Sequence, residues 1–228
     1  MIEIREISKR FNGNVVLDRV NLTIKDASLI VILGPSGTGK TVLLKSILGL
    51  IPIDGGDVLY DRRSIFALKP GEIYEFRKQV GFVFQSAALF DSMTVYENIA
   101  LPILEHTSLS TKEVRERVKK ILEVVGLPNR EKLYPGSLSG GMKRLVAIGR
   151  AIALEPKYIF YDEPTTGLDP VMRDRIVQLI INLKRDYKKT GIVVTHDLET
   201  AEAVGDEIYM LKNGKISKLE KVEKRFYG

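Results

Sequence analysis

The segment LIVILGPSGTGKTVLLKSIL, residues 29–48, constrains the fold of this chain more than any other. Its first part, residues 29–33, is a short apolar run of the kind that forms a buried central strand. The glycine-rich turn GPSGTGKT follows at residues 34–41, and an apolar helical pattern begins at Lys40. A buried strand, a glycine-rich turn and a helix in this order predict an α/β fold with a mostly parallel sheet.

The turn at residues 34–41 matches G-x-x-x-x-G-K-[ST], the P-loop pattern that binds nucleotide phosphates. Glycines let backbone N–H groups face phosphate oxygens, and the helix N-terminus adds the positive end of its dipole. Lys40 is expected to reach the outer phosphates, and the Thr41 hydroxyl is expected to bind Mg²⁺. The alternative is a glycine-rich turn that binds nothing, and the flanking strand and helix favour nucleotide binding over it.

Two acidic residues follow a second apolar run, YIFY at residues 158–161. We expect Asp162 to hold Mg²⁺ and Glu163 to polarise a water for attack on the γ-phosphate. His196 follows a later apolar strand, and ligands bind at the carboxyl edge of such sheets, so a γ-phosphate contact is expected there. Acids and histidines at strand ends are also common as structural residues. The other histidine, His106, lies in a polar stretch and is expected at the surface.

Apolar alternation from Ile2 to Ile24 predicts strands with one buried face, and residues 63–126 are mostly helical in pattern, with capping boxes starting at Thr94 and Ser110. After them strands and helices alternate to the end of the chain. We therefore predict one domain over residues 1–228. It comprises a P-loop NTPase core, an N-terminal antiparallel β subdomain and a helical subdomain inserted at about residues 86–155.

Composition limits the classes of protein to consider. There is no cysteine, which excludes disulfides and thiolate metal sites, and the apolar runs are too short to cross a bilayer. The N-terminus lacks an apolar signal region, so a secreted form is not expected. The formal charge is +6, but the basic residues are scattered, which favours a solvated surface over a face for anionic lipid. No nucleic-acid partner is expected.

A second segment, LSGGM at residues 138–142, also resembles an anion site, because a serine and two glycines precede an apolar helical pattern. GPSGTGKT, Gln85, LSGGM, YIFYDEP, GLDP and VTHD occur in this order, and together they resemble the nucleotide-binding subunit of ABC transporters over essentially the whole chain. The resemblance implies an ATPase that forms an ATP-dependent homodimer. In that family two subunits face each other head to tail, and each ATP lies between the P-loop of one chain and the LSGG segment of the other.

The resemblance also implies roles for single residues. Phe11 corresponds to an aromatic residue that stacks on adenine, although a simple core position is the alternative. Gln85 corresponds to a glutamine that contacts Mg²⁺ and the attacking water. The residues expected to contact ATP within one chain are Phe11, Val16, Gly34, Pro35, Ser36, Gly37, Thr38, Gly39, Lys40, Thr41 and Val42. Those expected to act from the partner chain are Ser139, Gly140, Gly141 and Asp169; the metal ligands are Thr41, Gln85 and Asp162, and the catalytic residues are Glu163, His196 and Gln85.

Two features resemble the Mla-type phospholipid-transport ATPases: Met142, where most of the family has glutamine, and the segment FQSAALFDSMTVYENIALPILEHT at residues 84–107. This resemblance implies a separate integral membrane permease, an MCE-type lipid-binding partner and a peripheral location at the cytoplasmic face of the inner membrane. Some Mla-type relatives carry a longer C-terminal extension for a small accessory protein, which is not expected here. An ABC transporter ATPase for another solute and a soluble ABC ATPase of the cluster-assembly kind remain as alternatives.

Overall fold

The computed structural model describes residues 1–220, so the last eight residues of the predicted domain lie outside the described part. Single 3₁₀ turns occur at Ile65–Ala67 and Pro135–Ser137. The strands and helices, in chain order, are β1 (Ile2–Phe11), β2 (Asn14–Ile24), β3 (Leu29–Leu33), α1 (Lys40–Ile47), β4 (Gly55–Tyr60), β5 (Arg63–Ser64), α2 (Pro70–Lys78), β6 (Val80–Val83), α3 (Val95–His106), α4 (Thr111–Val124), α5 (Gly140–Ala151), β7 (Tyr158–Asp162), α6 (Pro170–Tyr187), β8 (Thr190–Thr195), α7 (Leu198–Val204), β9 (Glu207–Lys212) and β10 (Lys215–Leu219).

The chain divides into two compact units. The first unit contains residues 1–68 and the chain from residue 190 onward, and the second contains residues 69–189. The predicted helical insertion at about residues 86–155 falls within the second unit and stays a prediction as a subdomain.

The first unit contains the predicted antiparallel β sheet, with strand order β2-β1-β4-β5. Strand β1 pairs with β2 so that Ile2 lies opposite Ile24 and Ile4 opposite Leu22. These side chains are buried, because apolar alternation places them on one face of the sheet. The antiparallel N-terminal sheet predicted from the sequence is thus confirmed.

The same unit contains the strands that lead to the glycine-rich turn. Strand β3 is fully buried and pairs in parallel with β8 on one side and β9 on the other. Strands β9 and β10 form a hairpin, and Asn213 and Gly214 at its turn both have positive φ, as a type I′ turn requires. Because β3 and β8 are parallel, their carboxyl ends lie at one edge, where the Gly34 N–H donates to the Thr195 carbonyl at 3.2 Å.

Helix α1, predicted from the apolar helical pattern that begins at Lys40, spans only eight residues. It ends near Ile47 because Gly49 adopts φ +62° and reverses the chain. The Leu50 N–H then donates to the Lys45 carbonyl at 2.9 Å, and the Gly49 N–H donates to the Ser46 carbonyl at 3.0 Å. This is the usual glycine termination of a helix, and it leaves Leu50 exposed rather than in the core.

The second unit contains the parallel pair β6 and β7 together with helices α2–α6. Both predicted capping boxes are present at the starts of α3 and α4. Thr94 Oγ1 accepts from the Glu97 N–H at 3.2 Å while Glu97 accepts from the Thr94 N–H at 2.7 Å, and Ser110 and Glu113 repeat the arrangement. Helix α4 buries its apolar stripe and is followed by Gly126 at φ +68°. Within residues 1–220 no helix is both long enough and apolar enough to cross a membrane.

Candidate functional site

The glycine loop, residues 34–41, closes around the side chain of Lys40. Lys40 is only 5% exposed, and its Nζ donates to the carbonyls of Gly34 at 2.7 Å and Pro35 at 3.0 Å. Thr38 Oγ1 donates to the same Pro35 carbonyl at 2.9 Å. The loop carbonyls therefore accept hydrogen bonds from the Lys40 ammonium and from the Thr38 hydroxyl. These bonds hold the positive charge of Lys40 at the centre of the loop.

Two glycines give the loop its shape. Gly37 and Gly39 have φ +82° and +98°, which residues with a Cβ rarely adopt. A Cβ on Gly39 would also lie 2.7 Å from Val16 Cγ1, so the predicted ATP contact Val16 packs against this glycine. Helix α1 begins directly after Gly39, with no side-chain cap and no acidic residue in its first turn. Its first N–H groups therefore have no side-chain acceptor at the cap, as an anion site at a helix N-terminus needs.

Phe11 lies at the end of β1, and its side chain is 46% exposed, so it is not a core residue. The Lys9 ammonium lies 5.1 Å from the centroid of its ring and 3.1 Å from Asp54 Oδ1. Asp54 also accepts the Arg10 N–H at 2.6 Å, and this bond, followed by the bond from Lys9, holds the pKa of Asp54 below its ordinary value. An ion pair beneath the ring thus fixes the strand end that carries an exposed aromatic face.

His196 follows the last residue of β8 and has an exposed side chain. The next residue, Asp197, is the N-cap of α7: it accepts from the Glu199 N–H at 3.0 Å and from the Thr200 hydroxyl at 2.5 Å. The Asp197 N–H donates to Thr195 Oγ1 at 3.0 Å. His196 is therefore fixed between a buried strand and a capped helix, at the sheet edge where Thr195 meets Gly34.

The two predicted acids lie at the end of the fully buried strand β7 in the second unit. Asp162 is 4% exposed and Glu163 is 6% exposed. Glu163 has φ +48°, an unfavourable conformation for a residue with a long side chain. Thr166 Oγ1 donates to Glu163 Oε2 at 2.9 Å, which helps orient the carboxylate. Two buried carboxylates side by side at the carboxyl end of a strand are typical of a site that binds or transfers charge.

Arg144 on α5 is a residue that the sequence analysis missed. Its guanidinium is 6% exposed and donates to the carbonyl of Phe84 at 2.6 Å, directly before Gln85. Burial lowers the pKa of Arg144, and the charge of Asp162 partly offsets this effect. Gln85 itself is exposed. The available signal in the sequence was an arginine within the apolar pattern of α5.

A second arginine on α5 holds the segment that follows Gln85. Arg150 donates to the carbonyls of Ala88 at 2.8 Å and Ala87 at 3.0 Å, and both alanines have positive φ. The fully buried Asn98 fixes the far end of the segment, since its amide bonds the N–H and the carbonyl of Phe90. The segment from Gln85 to Phe90 is thus attached to α5 and to α3.

The serine–glycine segment, which we define as Ser139, Gly140 and Gly141, begins helix α5. Ser139 is the N-cap, and its Oγ accepts the N–H of Met142 at 3.3 Å. Ser139 and Gly140 are exposed, whereas Gly141 is buried against the side chain of Met172 on α6. The bond from Met142 uses only its backbone, so it does not depend on the methionine side chain.

Asp169 is the N-cap of α6, in the same unit as the serine–glycine segment. Its Oδ1 accepts the N–H of Met172 at 3.0 Å, and its side chain is exposed. The second unit therefore contains the four residues predicted to act on a partner chain together with Gln85, Asp162 and Glu163. The first unit contains the glycine loop, Phe11, Val16 and His196.

A groove of about 790 Å³ lies within the second unit. The apolar part of its lining includes Phe82, Phe84, Phe90, Leu101 and Pro102. Four charged residues also line the groove: Arg77, Lys78 and Arg150 are basic, and Glu105 is acidic. His106 also lines the groove. It is half-buried, and its Nδ1 lies 2.7 Å from the Tyr74 hydroxyl.

The family described as ABC transporter matches residues 17–166. The intermembrane phospholipid transport system ATP-binding protein MlaF of Haemophilus influenzae is 41% identical, over 95% of this chain and 82% of that protein. MlaF of Escherichia coli K12 is 39% identical, over 95% of this chain and 80% of that protein.

Other similar proteins carry different names. The probable ribonucleotide transport ATP-binding protein mkl of Mycobacterium tuberculosis is 40% identical over 92% of this chain, which spans only 58% of that protein. Among solved structures, the ATP-binding cassette MJ0796, a dimer bound to ADP and Pi in a post-hydrolysis state, has a TM-score of 0.87 and 33% identity. That similarity covers 97% of this chain and all of that one.

Proposed function

We propose that this chain, which belongs to the ABC transporter family as an ATP-binding and ATP-hydrolysing subunit, powers the transport of phospholipid by a separate membrane permease. The observation that carries its ATPase role is the glycine loop closed around the buried Lys40, at a helix N-terminus without a side-chain cap. The similarity to MlaF over 95% of the chain supports phospholipid as the transported class.

In this proposal the first unit binds the phosphates and the adenine of ATP. Lys40 and the backbone N–H groups of residues 34–41 hold the phosphates, and Thr41 and Val42 extend the contact along the first turn of α1. Phe11 stacks on adenine, which its exposed ring and the cation beneath it support. Val16 contacts the nucleotide beside Gly39.

The hydrolytic residues fit a bound Mg²⁺. The donors are hard oxygens, which Mg²⁺ prefers, and Asp162 is a buried carboxylate at a strand end. We assign Thr41, Gln85 and Asp162 as its protein ligands. Mg²⁺ would neutralise charge on the phosphates during hydrolysis. Glu163 accepts a proton from the attacking water, Gln85 orients this water, and His196 contacts the γ-phosphate.

Each ATP site is completed by a second copy of the chain. Ser139, Gly140, Gly141 and Asp169 of the partner contact the nucleotide held by the glycine loop, so that the homodimer has two equivalent sites. The exposure of Ser139, Gly140 and Asp169 supports this role. The similarity to MJ0796, solved as a dimer with ADP and Pi, supports the dimer.

The groove of the second unit is the proposed docking surface for the permease. Its wall is aromatic and apolar, and its charged residues are predominantly basic, so the occupant is expected to be a permease helix with apolar side chains and at least one carboxylate. The chain then works as a peripheral protein at the cytoplasmic face of the inner membrane, with an MCE-type lipid-binding protein in the same transporter.

A second candidate function is transport of ribonucleotide, because the mkl proteins are 40% identical to this chain. The phospholipid proposal is favoured by coverage: the chain spans 82% of MlaF from Haemophilus influenzae but 58% of mkl.

Reconstitution separates the two candidates. The chain is purified with its permease from native membranes and placed in phospholipid vesicles that contain NBD-labelled phosphatidylethanolamine. We expect ATP to change the fraction of label accessible from outside, and the same complex with Glu163→Gln to show no change. ATP-driven movement of radiolabelled ribonucleotide without movement of the lipid label would select the second candidate instead.

A further inference from the structure

Gly141, the second glycine of the serine–glycine segment, packs directly against the side chain of Met172 on helix α6. A Cβ added to Gly141 would lie 2.1 Å from Met172 Cγ, 2.7 Å from its Sδ and 3.0 Å from its Cε. These distances are far below van der Waals contact, so only a hydrogen atom fits between the Gly141 backbone and Met172. The contact therefore joins the start of α5 to the start of α6 without a gap.

Each side of this contact carries an exposed polar group. On α5, Gly141 lies two residues after the N-cap Ser139. On α6, the N–H of Met172 donates to the N-cap Asp169 at 3.0 Å. Ser139 and Asp169 are both exposed, whereas Gly141 is buried and Met172 is half-buried. The Met172–Gly141 contact thus lies within three residues of an exposed polar N-cap on each of the two helices.

We propose that Met172 is a positioning residue for ATP hydrolysis, which fixes Asp169 relative to Ser139 and Gly140 before the partner chain arrives. This inference rests on the proposed dimer, in which all three residues meet the nucleotide of the partner. Surfaces that are already ordered lose less conformational entropy on association, so the contact favours closure of the dimer. Met172 itself touches no nucleotide.

Methionine suits this position because its unbranched side chain can lie flat along a glycine backbone and fill an irregular gap. Arg175, which lies three residues after Met172 on α6, is held by a different contact, since it donates to the carbonyl of Gly126. Loss of the Met172 side chain is therefore expected to loosen the Asp169 end of α6 while the helix stays attached to its unit.

The test is a double-mutant cycle with Gly141→Ala, Met172→Ala and the two combined. All variants carry Glu163→Gln to slow turnover, and ATP-dependent dimerisation is measured by sedimentation velocity in Mg-ATP. We expect Gly141→Ala to weaken dimerisation about tenfold or more, because the methyl group clashes with Met172. Met172→Ala alone should weaken it about threefold to tenfold. The combined variant should return to within about threefold of Met172→Ala, because the smaller side chain makes room for the methyl group.

Two control variants separate positioning from general destabilisation. Val177→Ala truncates a side chain of α6 that is 7% exposed and lies five residues beyond Met172; it should lower thermal stability without weakening dimerisation. Met172→Leu refills the space above Gly141 and should restore dimerisation to within about threefold of the reference. Calorimetry with monomeric protein should give the same ATP affinity for every variant.

The outcomes distinguish this inference from the function on which it rests. A Glu163→Gln reference that stays monomeric in Mg-ATP overturns the proposed dimer mechanism. If the reference dimerises but the two substitutions are additive, or if Gly141→Ala dimerises normally, only the positioning role of Met172 is overturned. Equal loss of dimerisation in Val177→Ala would also contradict that role.

Discussion

Glu163 combines two properties that are costly for a glutamate. Its side chain is 6% exposed, and its backbone has φ +48°. Residues with such backbone strain, which costs about 1–3 kcal/mol, persist where the surrounding structure holds them and cluster at active sites. The bond from Thr166 Oγ1 is part of the structure that holds Glu163. The sequence predicted a catalytic role from the position at a strand end and from the family resemblance, and that role stays a prediction.

Glu163→Gln is expected to abolish turnover and to keep ATP binding. The amide is nearly isosteric and still accepts a bond from Thr166, but it cannot take a proton from water, so kcat should fall by about a hundredfold or more. An ATP-bound dimer should accumulate and be visible by size-exclusion chromatography in Mg-ATP. Turnover at the wild-type rate would remove Glu163 from the catalytic role.

Lys40→Ala is expected to weaken ATP binding and hydrolysis together. The substitution removes the charge at the centre of the loop, and a charge-assisted bond contributes about 1.5–3 kcal/mol, so the Kd for ATP should rise by about tenfold to a hundredfold. Calorimetry measures the change. Lys45→Ala, on the same helix but outside the loop, is the matched control and should bind ATP normally. Unchanged affinity in Lys40→Ala would mean that residues 34–41 form only a turn.

At the scale of elements, the sequence predicts best what is decided locally. Each capping box, at Thr94 and at Ser110, involves a stretch of only four consecutive residues, and both are present as predicted. The bonds from Arg144 and Arg150 cross about sixty residues of chain, and no short pattern contains both partners. The contact of Gly141 with Met172 was missed for the same reason, because a glycine and a methionine on different helices share no periodic pattern.

The groove gives a prediction at this scale. Phe90→Glu places a carboxylate in the apolar wall against the proposed permease helix, which is expected to carry apolar side chains and a carboxylate, so co-purification of the permease should fall about tenfold or more. Tyr187→Glu is the matched control, because Tyr187 is 51% exposed, close to the 48% of Phe90, and lies outside the groove lining. Both variants should keep ATP affinity. Normal recovery of the permease with Phe90→Glu would place the docking surface elsewhere.

At the scale of the whole molecule, one chain carries two segments suited to phosphate. The glycine loop holds a buried cation, and the serine–glycine segment presents an exposed helix N-terminus. The proposed head-to-tail dimer brings both segments to one nucleotide. The resemblance carried by the short, continuous motifs implies this arrangement, which stays a prediction.

Ser139→Arg is expected to damage a site whose glycine loop is intact. The bulky cation blocks closure of the dimer, while ATP still binds the glycine loop of the same chain. Calorimetry should therefore show ATP binding to the monomeric variant at wild-type affinity. Hydrolysis and ATP-dependent dimerisation should both fall. Hydrolysis at the wild-type rate would mean that the serine–glycine segment does not touch the nucleotide.

Mixing Ser139→Arg with Lys40→Ala tests the shared site most directly. In the mixed dimer both defects fall in one site, and the other site combines an intact glycine loop with an intact serine–glycine segment. Sedimentation velocity with one variant fluorescently labelled measures association in Mg-ATP. We expect the mixed pair to associate more strongly than either variant alone. Association of the mixture no stronger than that of the separate variants would contradict a nucleotide shared between chains.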